Sequence, residues 1–123
     1  MAVEKVSLAA LPAERLTEGI TRRLAFGTNM SLARYEVKVG AVPPNLHHSH
    51  PYEQAVLVLA GRIRLAVEEQ ELELGPGELV FIPPNASHGG QVLEDMVAVE
   101  FYSPPRDDFL AGTDPLRRWA ASR

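Results

Sequence analysis

The chain has 123 residues, 46% of them hydrophobic and 23% charged, with a net charge of −4. That suits one soluble domain able to bury a core, and acids and bases are interspersed with no basic stripe, so no nucleic-acid partner is expected. There is no cysteine, which excludes disulfides, thiolate metal sites and a cysteine nucleophile, and fits a cytoplasmic location.

The opening MAVEKVSLAALPAERL lacks a basic start followed by a sustained apolar core, so no secretion signal is expected. No later stretch approaches the ~18 apolar residues of a membrane span, so no membrane partner is expected either. Pro12 stops any helix begun at Ala9. Residues 20–26 read as a strand containing Arg22 and Arg23, followed by a hairpin loop at Gly27, Thr28 and Asn29. Residues 30–39 alternate, with Tyr35, Val37 and Val39 on one face and Arg34, Glu36 and Lys38 on the other. Gly40 ends that strand, and Pro43 and Pro44 fix the next turn.

Residues 54–59 read as a buried strand, with a turn at Ala60 and Gly61 leading into a further strand over 62–68. Another turn at Glu68, Glu69 and Gln70 precedes a strand over 71–74. Gly75-Pro76-Gly77 is a strong turn signal, since glycine permits positive φ and proline fixes its own. A short strand over 78–82 ends at Pro83-Pro84-Asn85, and a last long strand spans about 91–102. Pro104 and Pro105 stop it, residues 106–110 allow one helical turn, and Asp114-Pro115 looks like the N-cap and first-turn proline of a short helix through Trp119. Many short strands with frequent turns imply an all-β sandwich or barrel.

Three of the four histidines crowd into the stretch between Gly40 and Gly61. Residues two apart on a strand share a face, so His48 and His50 converge while His47 points away. Gln54 has the parity of His48 and His50. The fourth histidine, His88, lies beyond the double-proline corner, in a loop that a barrel brings near Gln54. Three imidazoles and an amide oxygen then describe a metal site. Glu53 is the only nearby acid, but its odd parity takes it off that face, so Gln54 is the expected ligand. A shell of neutral ligands leaves the ion's full charge available as a Lewis acid, and suits a divalent Ni, Zn, Co, Fe or Mn ion.

These residues resemble the cupin motifs. The first motif carries Gly, a spacer, His-x-His, an acid and a closing Gly, matched here by Gly40, His48-Ser49-His50, Gln54 and Gly61. The second is matched by Gly77, Pro83, Asn85, His88 and Gln91. Gln54 replaces the acid, Asn85 replaces a glycine, and the spacer after Gly40 is longer. Asparagine tolerates left-handed backbone, which makes the Asn85 change mild. The resemblance implies a single-domain cupin, a double-stranded β-helix or jelly-roll barrel over about 18–103 with a tail over 104–123 that ends in a short helix.

Glu100-Phe101-Tyr102-Ser103-Pro104-Pro105-Arg106 resembles the Asp-x-Phe-Ser-Pro-x-Arg segment of small pectin-degradation (KdgF-type) cupins. The His-Ser-His-Pro-x-Glu-Gln run and the Ile-Pro-Pro-Asn corner are similar too. That resemblance implies a metal held by three His and one Gln, and conversion of 4,5-unsaturated uronates to linear keto forms. It places catalytic roles on Glu100, Tyr102 and Arg106, where Glu stands for Asp and Tyr for Phe. Arg106 is a natural carboxylate clamp, the alternative being an ion pair with Asp107 or Asp108. A homodimer binding a small-molecule substrate is the expected assembly by resemblance. Two other functions stay open, an Fe(II) dioxygenase and a non-catalytic metabolite- or metal-binding module.

Overall fold

The computed structural model describes residues 2–43 and 46–123, so Pro44, half of the expected proline turn, lies outside the described residues. After a 3-10 turn at Leu8–Ala10 come seven strands: β1 (Glu14–Thr17), β2 (Ile20–Phe26), β3 (Ser31–Val37), β4 (Glu53–Val67), β5 (Gln70–Leu74), β6 (Leu79–Ile82) and β7 (His88–Ser103). Two short helices follow, α1 (Asp107–Ala111) and α2 (Pro115–Ala121). All pairings are antiparallel, in the order β1-β2-β3-β7-β4-β5, with β6 also on β4. No helix among the described residues is long and apolar enough to cross a membrane.

Alternation builds the barrel. Ser31, Ala33, Tyr35 and Val37 of β3 are buried, and Gln54, Val56 and Val58 of β4 face the same interior. Val39, expected to continue that face, lies beyond the end of β3 and is 55% exposed.

The expected turn at Ala60 and Gly61 is not a reversal. β4 runs straight through it, its first half flanked by β6 and β7 and its second by β5 and β7. The register with β7 shifts around Ala60 and Arg62, so the strand bends through bulges and serves both walls of the barrel. Gly61 is required there: its φ is +81°, and a Cβ would stand 2.1 Å from the Asp95 carbonyl oxygen. A glycine in a bulge and a glycine in a turn look alike in sequence.

β7 also begins earlier than expected, so His88 opens a strand rather than lying in a loop. Asn85 has φ +68°, as its turn chemistry allows, and its N–H donates to the His50 carbonyl at 2.7 Å. The double-proline corner is thereby tied to the histidine segment.

The tail packs back on its own barrel. Asp114 caps α2 by accepting from the Arg117 N–H at 3.3 Å, with Pro115 in the first turn. The same carboxylate takes two hydrogen bonds from Arg22, at 2.7 and 3.2 Å, with both side chains fully buried. Glu14 on β1 accepts from Arg22 Nε at 3.2 Å and pairs with Arg117. Burial pushes the Arg22 guanidinium down, but the hydrogen bond to Asp114 and neighbouring groups outweigh it and hold it above its ordinary value. Trp119 packs against this core.

Candidate metal centre

His48 and His88 are joined by the backbone. Each donates its N–H to the other's carbonyl at 2.9 Å, an isolated antiparallel bridge that hangs the His48–His50 segment on the start of β7. Gln54 arrives from β4, opposite Tyr102 of β7. The ring centroids of His48, His50 and His88 lie 4.4–5.6 Å apart, and one nitrogen from each lies within 4.8 Å of the others.

The nitrogens are prepared as lone pairs. His88 Nδ1 is 2.9 Å from the Ala86 carbonyl and His50 Nδ1 is 3.1 Å from the Tyr52 carbonyl, so each Nδ1 carries the proton it donates and each Nε2 is an acceptor. His88 Nε2 and His48 Nδ1 are buried with no hydrogen-bond partner among the described residues. His50 Nε2 lies 2.9 Å from Gln54 Oε1, one acceptor facing another. Two acceptors do not attract each other; a cation between them turns the arrangement from a fault into a ligand pair, and an edge near 2.9 Å suits cis donors at metal–ligand distances of about 2.1 Å. Burial pushes all three imidazoles toward the neutral form, His48 to about 3 with help from His88 and His50. These residues therefore fit a divalent transition metal.

Behind Gln54 stands Glu100, half-buried on β7. Gln54 Nε2 donates to Glu100 Oε1, and the Tyr102 hydroxyl donates to that same oxygen at 2.9 Å. Burial pushes the Glu100 carboxyl up, opposed by the Tyr102 hydrogen bond, the Arg106 charge and the Gln54 amide. Burial, with the charge of Glu100, also raises the Tyr102 phenol.

Arg106 is buried, its guanidinium 4.1 Å from the Phe109 ring centroid and 4.7 Å from that of Tyr102. Its Nε and Nη2 form a fork with the Asp108 carboxylate at 2.8 and 2.5 Å, so of the two acids considered as ion-pair partners it is Asp108 that engages it. Its backbone N–H donates to Ser31 Oγ at 3.1 Å, fixing the start of α1 against β3.

One cavity of about 130 Å³ is lined by His48, His88, Gln54, Glu100, Tyr102 and Arg106 together. The structure thus gathers the expected ligands and the three expected catalytic residues at one place, with His50 beside them. His47 and Glu53 are exposed. Sequence reasoning passed over Tyr35, Phe109 and Leu116, which also line the cavity. In the sequence Tyr35 stands only as a strand position on the face of Val37 and Val39, and Leu116 only within a capped helix.

Residues 33–103 match the family described as Cupin domain. The chain belongs to the cupins. Among solved structures it is similar to KdgF from Halomonas sp., at 24% identity and a TM-score of 0.78, over 88% of this chain and 99% of that one. An RmlC-like cupin from Shewanella frigidimarina matches at 21% identity and 0.76, over 88% and 96%. A variant of oxalate decarboxylase from Bacillus subtilis matches at 19% and 0.72, where this cupin spans 85% of its own length and 30% of the other's. No curated protein sequence matches. At these identities the structural likenesses speak for the fold: a single-domain, all-β cupin resembling KdgF.

Proposed function

We propose that this cupin is a metal-dependent enzyme that opens and tautomerises 4,5-unsaturated uronates, small carboxylated sugars, into linear keto forms. The observation that carries the reading is the facing pair of acceptors, His50 Nε2 and Gln54 Oε1 at 2.9 Å, beside buried nitrogens on His48 and His88 that have no partner among the described residues. Such a set is costly unless a cation joins it. His48, His50, Gln54 and His88 are the residues that would hold the metal, which when bound supplies a Lewis acid for hydroxyl and carbonyl oxygens.

The remaining roles fall to the chain's own side chains. Arg106 binds the substrate carboxylate, its orientation set by Asp108 and by the rings it stacks on. Glu100 takes the proton from the anomeric hydroxyl as the ring C–O bond breaks, giving an aldehyde and an enol. A proton returned to carbon converts the enol to the ketone, so the reaction is a net isomerisation with no co-reactant. Both hydrogen bonds on Glu100 fall on Oε1, which leaves Oε2 for this proton traffic. Tyr102 packs beside the ring and holds Glu100 through its hydroxyl.

The conjugated double bond disappears in this reaction, so ultraviolet absorbance of an unsaturated uronate reports it. Faster decay with metal-loaded protein is expected, slowed by Arg106→Ala and Glu100→Gln. No acceleration over the spontaneous rate overturns the proposal. Oxygen uptake that requires Fe(II), with no effect on the uronate, would instead favour a dioxygenase, which a three-histidine set also suits.

A further inference from the structure

Gln54 differs from the histidines in one respect. Its amide has two ends of nearly equal size, one an acceptor and one a double donor, and only the oxygen can serve a cation. Something must choose the end that faces the histidines. His50 does not do so unaided, because its Nε2 is an acceptor and would draw the NH₂ group toward itself.

Glu100 is in place to make the choice. It pairs across the strands with Val56, two residues along β4 from Gln54, so the diagonal reach between the two side chains is short. Gln54 Nε2 donates to Glu100 Oε1, and this turns Gln54 Oε1 toward His50. In the reverse rotamer the amide oxygen would meet a carboxyl oxygen, and two N–H groups would point into the space between the imidazoles. Tyr102, only 2% exposed, fixes the accepting oxygen with its own hydroxyl at 2.9 Å. An ionised carboxylate and a carboxyl protonated on Oε2 both leave Oε1 as an acceptor, so the arrangement does not depend on the charge state.

We propose that Glu100 is a positioning residue of the metal centre as well as a group facing the substrate: it locks the Gln54 amide with its oxygen toward His48, His50 and His88. This rests on the reading of Gln54 as a ligand. Groups that orient ligands in this way typically change metal affinity about 10–100-fold when removed.

The test is chelator-competition titration of Zn(II) and Co(II) against wild type, Glu100→Leu, Glu100→Gln, Gln54→Ala and His88→Ala, with melting of each metal-free protein to confirm folding. Glu100→Leu should bind about 10–100-fold more weakly, approaching Gln54→Ala. Glu100→Gln keeps an acceptor oxygen and should bind close to wild type while losing turnover; an affinity lost in Glu100→Leu and spared in Glu100→Gln is what a proton-transfer role alone does not produce. The visible spectrum of the Co(II) complex should change in Glu100→Leu and stay unchanged in Glu100→Gln. Affinity in Glu100→Leu equal to wild type overturns the proposal, and so does an equal loss in Glu100→Gln. If Glu100→Leu does not fold, Glu100→Ala carries the same expectation. Wild type that binds no better than His88→Ala would mark failure of the metal reading itself, a different outcome from wild type that binds well with Glu100→Leu at its side.

Discussion

Asp114→Ala tests the physical link between the tail and the barrel. Asp114 is 1% exposed and Arg22 is fully buried, and the two are joined by hydrogen bonds of 2.7 and 3.2 Å. Truncating the acid leaves a guanidinium in the core with the half-buried Glu14, at 3.2 Å, as its one remaining acidic partner among the described residues, beside the Phe109 ring at 4.8 Å. Breaking a buried pair from one side costs about 3–5 kcal/mol, and Glu14 places this case at about 3. Asp114 also caps α2, and losing a cap adds about 1 kcal/mol. The sum, about 4 kcal/mol, is a large part of the roughly 5–15 kcal/mol that holds a domain of this size together. With a urea slope of about 1.5 kcal/mol/M, the unfolding midpoint should fall by about 2–3 M. Removing both charges, in Arg22→Met with Asp114→Leu, should recover much of the loss, because no unpaired ion remains in the core. A midpoint that moves by less than about 0.5 M in Asp114→Ala would mean that the pair is worth no more than a surface contact and that no buried ion is stranded. Zn(II) affinity should survive in whatever fraction stays folded, because the histidines and Gln54 hang on barrel strands and their bridge, not on α2.

Three further outcomes are expected. Gln54→Ala should lose metal affinity while Glu53→Ala, an exposed neighbour, should leave both affinity and stability within about 0.5 kcal/mol of wild type, as calorimetric titration and urea melts would show. Arg106→Lys loses the fork with Asp108 and the fit to a planar carboxylate; at about 1.5–3 kcal/mol for a charge-assisted bond, KM for a uronate should rise roughly 10–100-fold. Burial pushes the Asp108 carboxyl up, but the Arg106 hydrogen bonds and charge outweigh it and hold it below its ordinary value. The unfolded chain then binds the proton first, so this contribution to stability is full above about pH 5, begins to fade near the unfolded value of about 4, and is lost as pH falls through the folded value. The difference in melting temperature between wild type and Asp108→Asn should therefore be constant above about pH 5 and shrink on further acidification.

Much of this site can be read from the chain because its geometry is local. His48, His50 and Gln54 share a face by simple parity, and the Pro83-Pro84-Asn85 corner announces the turn that brings His88 across. The strands show themselves by alternation wherever one face is buried, as in β3. β1 does not, since it is a four-residue edge strand with no fully buried position. Gly61 misleads because a bulge pressed on Asp95 needs the same backbone freedom as a turn. The Arg22–Asp114 pair joins residues 92 apart in sequence, and nothing in either neighbourhood points to the other. The Gln54–Glu100 hydrogen bond is hidden for the same reason: it depends on strand register, which only the folded sheet sets.

A cation joining His48, His50, Gln54 and His88 underlies every role assigned to this site, and elemental analysis of purified protein alongside His48→Ala and His88→Ala asks for it directly. About one divalent transition metal per chain is expected in wild type, with little in either variant and recovery in wild type after chelation and reconstitution. Wild-type protein that neither carries nor takes up Ni, Zn, Co, Fe or Mn, or variants that hold as much metal as wild type, would contradict it.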